Sequence, residues 1–113
     1  MADLSFPQFP NKMEPGPVEV SNLAGELYPD CRRVHVTVLT QGEGHRPNMD
    51  FKISDANGAE LCHSVIVENY DQKTEFTMHL QRPDFVQPIT LFCKAYFENS
   101  EFFAEKSVQI TAN

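Results

Sequence analysis

Apolar and polar residues alternate with a period of two along most of the chain. The clearest run extends from Val34 to Val38, where three valines alternate with His35 and Thr37. Successive side chains of a β-strand point to opposite faces of a sheet, so this alternation predicts a strand with one buried face. Similar runs predict six further strands, which begin near Val18, Met49, Glu60, Phe76, Ile89 and Phe102. The chain is therefore predicted to be all-β, with about seven antiparallel strands.

Turn-forming residues separate the predicted strands. Tyr28-Pro29-Asp30 and Asp55-Ala56-Asn57-Gly58 predict tight turns, because Pro fixes φ and Asn-Gly tolerates positive φ. The segment from Gln41 to Asn48 is predicted to be a loop. The nearest helical candidate, Asn22 to Leu27, is too short and contains Gly25. No helix is therefore predicted.

The beginning of the chain is rich in proline. Pro7, Pro10 and Pro15 exclude a helix and restrict this segment to extended backbone or the edge of a sheet. We predict a Pro-rich extended tail over residues 1–16 and a single β-sandwich domain over residues 17–113.

The last two predicted strands form a hairpin whose register follows from the sequence. A two-residue turn at Asn99-Ser100 brings apolar residues of the two strands into direct opposition on the inner face. The inner pairs are Phe97 with Phe102, Ala95 with Ala104, Leu91 with Val108, and Ile89 with Ile110. The outer pairs are Tyr96 with Phe103 and Lys94 with Glu105, an aromatic pair and an opposite-charge pair. Lys106 falls on the inner face opposite Cys93, which indicates an edge or a bulge.

The order of the predicted strands resembles a known architecture. Seven strands begin about a dozen residues apart, and the last two form a closing hairpin. The segment from Val18 to Thr111 resembles an immunoglobulin-like or fibronectin-type module. It also resembles the immunoglobulin-like domains of larger bacterial proteins, in which a strand ends in Asp-x-x-Gly, here Asp55 to Gly58. The resemblance implies an antiparallel immunoglobulin-like β-sandwich. The chain has no Trp, and Cys31 precedes its strand, so the antibody-type disulfide and immune role are not implied.

The net charge of the chain limits the kinds of molecule that it is expected to bind. The net charge is −7, which argues against binding to nucleic-acid backbones and to anionic membrane surfaces. It favours solubility or a basic partner. No run of apolar residues is long enough to span a membrane, and the N-terminus lacks the features of a signal peptide. Cys31, Cys62 and Cys93 are odd in number and widely spaced, so we predict free thiols in a cytoplasmic protein.

No catalytic or cofactor motif stands out in the sequence. Cys62 and His63 are adjacent in a strand and point to opposite faces, so they cannot act as a nucleophile and its base. The Gly42 to Pro47 loop lacks the following helix of a phosphate site. The acidic residues near loops match no calcium-loop spacing: Asp55, Glu60, Asp71 and Asp84. We predict that the protein is not an enzyme and holds no cofactor.

Two surface histidines supply an alternative hypothesis. His35 and His79 point away from the apolar faces of their strands, which are neighbours in an immunoglobulin-like strand order. Two imidazoles are the beginning of a metal site, but a firm site needs a third or fourth ligand, and the sequence identifies none. The alternative function is therefore a ligand- or metal-binding β-sandwich that uses these histidines or the loops.

Three aromatic residues share the outer face of the closing hairpin. Phe92, Tyr96 and Phe103 are more large aromatics than a solvent-facing sheet normally carries. Three explanations stay open: the rings pack under neighbouring side chains, Phe6 and Phe9 of the tail fold back over them, or they contact a protein partner or a second copy. The leading hypothesis is a non-catalytic protein-interaction module, with these three residues as its binding face.

Overall fold

The computed structural model describes residues 16–41, 46–67, 69, 72–98 and 100–110, and these ranges contain seven strands and no helix. The strands are β1 (Glu19–Leu27), β2 (Arg33–Gln41), β3 (Asn48–Ser54), β4 (Glu60–Ile66), β5 (Lys73–His79), β6 (Ile89–Tyr96) and β7 (Phe103–Ile110). They form a three-stranded sheet of order β1-β2-β5 and a four-stranded sheet of order β4-β3-β6-β7. Every pair of neighbouring strands is antiparallel. The all-β prediction with seven antiparallel strands is confirmed. Of the predicted tail, residues 1–15 lie outside the described residues.

The inner faces of the two sheets enclose one hydrophobic core. The valines of β2 are buried, as their alternation with polar residues predicts. They face the buried residues of β3 and β6, which include Met49, Phe51, Leu91 and Cys93. The ring of Phe51 meets that of Phe76 from the other sheet edge to face, with centroids 4.8 Å apart. This contact joins the two sheets at the centre of the sandwich.

A glycine allows β1 to lie close to the four-stranded sheet. A Cβ atom at Gly25 would lie 2.3 Å from Cδ1 of Ile110 and 3.3 Å from Cδ2 of Leu91. No side chain fits in that space unless Ile110 moves. The close approach covers the Ile110 end of β7 with β1.

The connections fall into two groups at opposite ends of the sandwich. The β2–β3, β4–β5 and β6–β7 connections lie at one end, which we term the upper end. Two backbone hydrogen bonds, both of 2.8 Å, hold the β4–β5 connection there: Asn69 N–H donates to Pro47 O of the β2–β3 connection, and Thr40 N–H at the end of β2 donates to Gln72 O. The β1–β2, β3–β4 and β5–β6 connections lie at the lower end.

A buried carboxylate shapes the predicted turn between β3 and β4. Oδ1 of Asp55 accepts hydrogen bonds from the N–H groups of Asn57 and Ala59, each at 2.9 Å. Gly58 has a φ of 87°, a conformation that glycine adopts without strain. Arg82 of the β5–β6 connection lies 3.6 Å from Oδ2 of Asp55. The predicted turn is thus confirmed. The Asp55 carboxylate also contacts the β5–β6 connection, which lies at the same end of the sandwich.

The predicted register of the closing hairpin is confirmed along both strands. Ile89 lies opposite Ile110, Leu91 opposite Val108, and Tyr96 opposite Phe103. The outward pair Lys94 and Glu105 also lie opposite each other, and Lys106 lies opposite Cys93.

The prediction that Phe102 is inside is wrong, because 45% of its surface is exposed. On the inner face of β7 only Ile110 is buried, while Lys106 is exposed. β7 is the outermost strand of the wider sheet, and β1 covers it closely at the Ile110 end. The alternation in β7 correctly predicts the direction of its side chains but not how much of the strand the opposite sheet covers.

Candidate functional site

The outer face of the four-stranded sheet is ordered in rows that run across the strands. Residues of one row are direct neighbours on adjacent strands and point away from the core. The first row from the upper end contains Asn48, Tyr96 and Phe103; the second Val65, Asp50, Lys94 and Glu105; the third His63, Lys52, Phe92 and Ser107.

The three predicted binding residues share this face but do not form one cluster. Tyr96 and Phe103 are cross-strand neighbours in the first row, and 57% of the surface of Phe103 is exposed. Phe92 lies two rows lower and is half-buried, with the Lys94 row between. The arrangement is therefore an aromatic pair at the upper end and a separate third ring. Phe6 and Phe9, which one of the open explanations places over the face, lie outside the described residues.

Lys94 contacts the aromatic pair from the second row. Its Nζ lies 5.1 Å from the ring centroid of Phe103 and 5.9 Å from that of Tyr96. Both distances are within the range of a cation–π interaction. Although Glu105 is its direct neighbour, Lys94 forms no ion pair with it. The ammonium group therefore supports the rings and leaves the carboxylate of Glu105 to solvent.

Two valines at the opposite edge extend the apolar surface of this face. Val65 lies on the outer face of β4 and is 49% exposed, and Val67, just beyond the strand, is 68% exposed. Strict alternation from Leu61 onward predicts that both valines share its face, but Leu61 is buried. The register shift opposite Ile53 and Ser54 explains the difference, because it buries both Leu61 and Cys62 at the start of β4.

His63 and Cys62 point to different sides, as the strand alternation predicts. The Nε2 atom of exposed His63 contacts Oδ1 of Asp50 on the neighbouring strand β3. Cys62 is buried in the core. The two side chains therefore do not form a nucleophile and base.

The candidate metal ligands His35 and His79 lie on neighbouring strands of the other sheet but in different rows. His35 is opposite Thr77, and His79 is opposite Arg33. Nε2 of His35 lies 3.1 Å from Oε1 of Glu75, and this hydrogen bond is the main cause of a lowered pKa at the Glu75 carboxyl. Within the described ranges, no three or more His, Cys, Asp or Glu side chains are arranged to hold a metal ion. His35 therefore forms a hydrogen bond with the Glu75 carboxylate, and the described residues supply no set of three ligands for the metal-binding alternative.

The three cysteines are free thiols in different environments. Cys62 and Cys93 are buried on β4 and β6 with β3 between them, whereas Cys31 is half-buried in the β1–β2 turn. Burial raises the pKa of Cys62 to about 11 and that of Cys93 to about 12, with smaller effects from the charges of Glu60 and Asp50.

Selective alkylation is expected to distinguish these thiols. At a pH of about 8, iodoacetamide should modify Cys31 at least about tenfold faster than the two buried thiols, because only a solvent-accessible thiolate reacts. Peptide mass spectrometry over time measures the three rates, and concentrated urea should bring them together. Equal rates in the folded protein would contradict the burial of Cys62 and Cys93.

Comparisons with known proteins do not add a function to this geometry. Among the described residues, no helical segment has the length and hydropathy of a membrane span. No protein-family model, curated protein or solved structure matches the chain.

Proposed function

We propose that this chain is a non-catalytic protein-interaction module whose binding face is the outer surface of the four-stranded sheet. The observation that carries the proposal is the ring of Phe103, which lies beside Tyr96 on the sheet surface with 57% of its area exposed. Val65 and Val67 add apolar area at the opposite edge of the same face.

The energetics favour burial of this surface by another molecule. Four strands spaced about 4.8 Å apart place the two outer strands about 14 Å from each other, and the apolar residues of the face lie at both edges. Burying apolar area contributes about 25 cal/mol per Å², so a few such side chains supply several kcal/mol. Aromatic residues held by a rigid strand lose little conformational entropy on binding, which is typical of interface anchors.

The proposal includes an immunoglobulin-like identity for the sandwich. The strand orders β1-β2-β5 and β4-β3-β6-β7 support it, together with the closing hairpin and the grouping of three connections at the upper end. In sandwiches of this kind the sheet faces and end loops commonly bind other proteins, while the core serves stability.

The test compares partner capture by face variants with that of a matched control. Phe103→Ser and Tyr96→Ser remove the aromatic pair, and Val86→Ser removes an exposed apolar side chain from the β5–β6 connection. Crosslinking with mass spectrometry identifies bound chains, and sedimentation velocity measures self-association. We expect binding to be lost in the first two variants and retained in the control. A monomer whose face variants bind the same partners as the wild type would refute the proposal.

A further inference from the structure

The closing hairpin projects two phenylalanines at the upper end of the sandwich. Phe102 is 45% exposed and Phe103 is 57% exposed. The N–H group of Phe102 donates to Oγ of Ser100 at 3.0 Å, so the chain is held where it enters β7. Adjacent strand residues point to opposite faces, so the two rings flank the edge strand on both sides. We term the surface formed by Glu98, Glu101, Phe102, Phe103 and Glu105 the hairpin tip.

The carboxylates of the hairpin tip have no basic partner in the described part of the chain. Glu98, Glu101 and Glu105 are exposed, and none of their carboxylates forms an ion pair or hydrogen bond there. Other carboxylates are paired with basic side chains: Asp30 with Arg33, Asp50 with His63, Asp55 and Asp84 with Arg82, and Glu75 with His35 and Lys73. Lys94, the cross-strand neighbour of Glu105, has its ammonium group 5.1 Å from the Phe103 ring centroid and forms no ion pair with that carboxylate. The tip therefore combines exposed apolar area with carboxylates that pair with no basic side chain of the described residues.

The negative charge of the hairpin tip disfavours self-association and favours a different protein as the partner. In a symmetric dimer the same surface patch meets itself, so the three carboxylates of one tip would face those of the other. The net charge of −7 adds repulsion between copies. A segment that presents Lys or Arg beside aliphatic side chains instead satisfies both features of the tip.

We infer that the hairpin tip docks a basic, partly apolar segment of another protein, and this inference rests on the proposed function. The aliphatic stems of the partner's Lys or Arg residues pack on Phe102 and Phe103, while the charged groups lie beside the carboxylates of Glu98, Glu101 and Glu105. The inference names the chemistry of the partner and extends the binding face from the Tyr96–Phe103 pair onto the edge of the sheet.

The test uses two short synthetic peptides, one of alternating lysine and leucine and one of alternating glutamate and leucine. Glu98→Gln/Glu101→Gln removes two tip charges. Glu26→Gln/Glu60→Gln removes two exposed, unpaired charges elsewhere, so both double variants change the net charge from −7 to −5. Fluorescence anisotropy measures affinity, and amide NMR shifts locate the contact.

We expect the lysine–leucine peptide to shift the amides of Phe102 and Phe103 in the full chain. Its affinity should fall about fivefold in the tip double variant, stay within about twofold in the control, and weaken with added salt. Equal losses in the two double variants, or equal binding of the glutamate–leucine peptide, would overturn the inference. So would a wild-type dimer that buries the hairpin tip. If Phe103→Ser abolishes capture of a natural partner while Glu98→Gln/Glu101→Gln does not, the proposed function stands and the basic-partner inference fails.

Discussion

Replacing Phe51 by alanine is expected to lower the free energy of unfolding by about 4 kcal/mol. Phe51 is fully buried on β3 and contacts Phe76 of the opposite sheet, with ring centroids 4.8 Å apart. Alanine removes this contact and leaves a cavity at the centre of the core, which the surrounding strands cannot fill without distorting their hydrogen bonds. Because a domain of this size is stabilised by only about 5–15 kcal/mol, the loss is a large fraction of the total.

Urea unfolding followed by far-ultraviolet circular dichroism measures this effect, with Phe103→Ala as the matched control. Phe103 lies on the outer face with 57% of its surface exposed, so its removal should cost less than about 1 kcal/mol. If Phe51→Ala proves too unstable to fold, Phe51→Leu should give a smaller but measurable loss of about 1–2 kcal/mol. Similar losses for Phe51→Ala and Phe103→Ala would contradict the assignment of inner and outer faces.

Replacing Asp55 by alanine is expected to lower the free energy of unfolding by about 3 kcal/mol. The buried carboxylate accepts two backbone hydrogen bonds at 2.9 Å, from Asn57 and Ala59, and lies 3.6 Å from Arg82. Alanine leaves both N–H groups without this acceptor and removes the Arg82 contact to the β5–β6 connection, which the backbone hydrogen bond from Ala56 N–H to Val86 O still joins to the turn. Hydrogen bonds to a charged acceptor are stronger than neutral ones, so the expected loss exceeds that of an ordinary turn substitution.

Asp84→Ala is the control for the Arg82 interaction. Asp84 also contacts Arg82, at 3.9 Å, but its side chain is 86% exposed, so its loss should be within about 0.5 kcal/mol. Asp55→Asn retains an oxygen acceptor without the charge and should fall between the two. Equal stability of Asp55→Ala and Asp84→Ala, measured by urea unfolding, would show that the buried carboxylate does not stabilise the turn.

The closing hairpin illustrates how much of the fold and site follows from the chain alone. Its register was predictable because a slip of one residue exchanges buried and exposed faces, so few alignments are compatible with the pattern. The same reasoning correctly placed Tyr96 opposite Phe103 on the outer face. It failed for Phe102, because side-chain direction is a property of one strand, whereas coverage depends on the opposite sheet.

The outer face of β4 shows a second limit. Val65 and Val67 were visible as apolar residues, but their exposure depends on a register shift in the pairing of β3 with β4. A bulge changes which residues face the core without leaving a distinct pattern in the sequence. The alternation near Leu61 and Cys62 therefore did not reveal the apolar extension of the candidate binding face.

The seven strands, the Asp55 turn and the hairpin register follow from the amino-acid sequence, because each arises from local periodicity or turn chemistry. Which side chains are accessible and which charges are paired depends instead on the packing of the folded chain. The pairing of Asp50 with His63, and the unpaired state of Glu98 and Glu101 within the described residues, depend on distances between separate strands and connections. Those distances arise from the packing of two sheets, which local alternation does not specify.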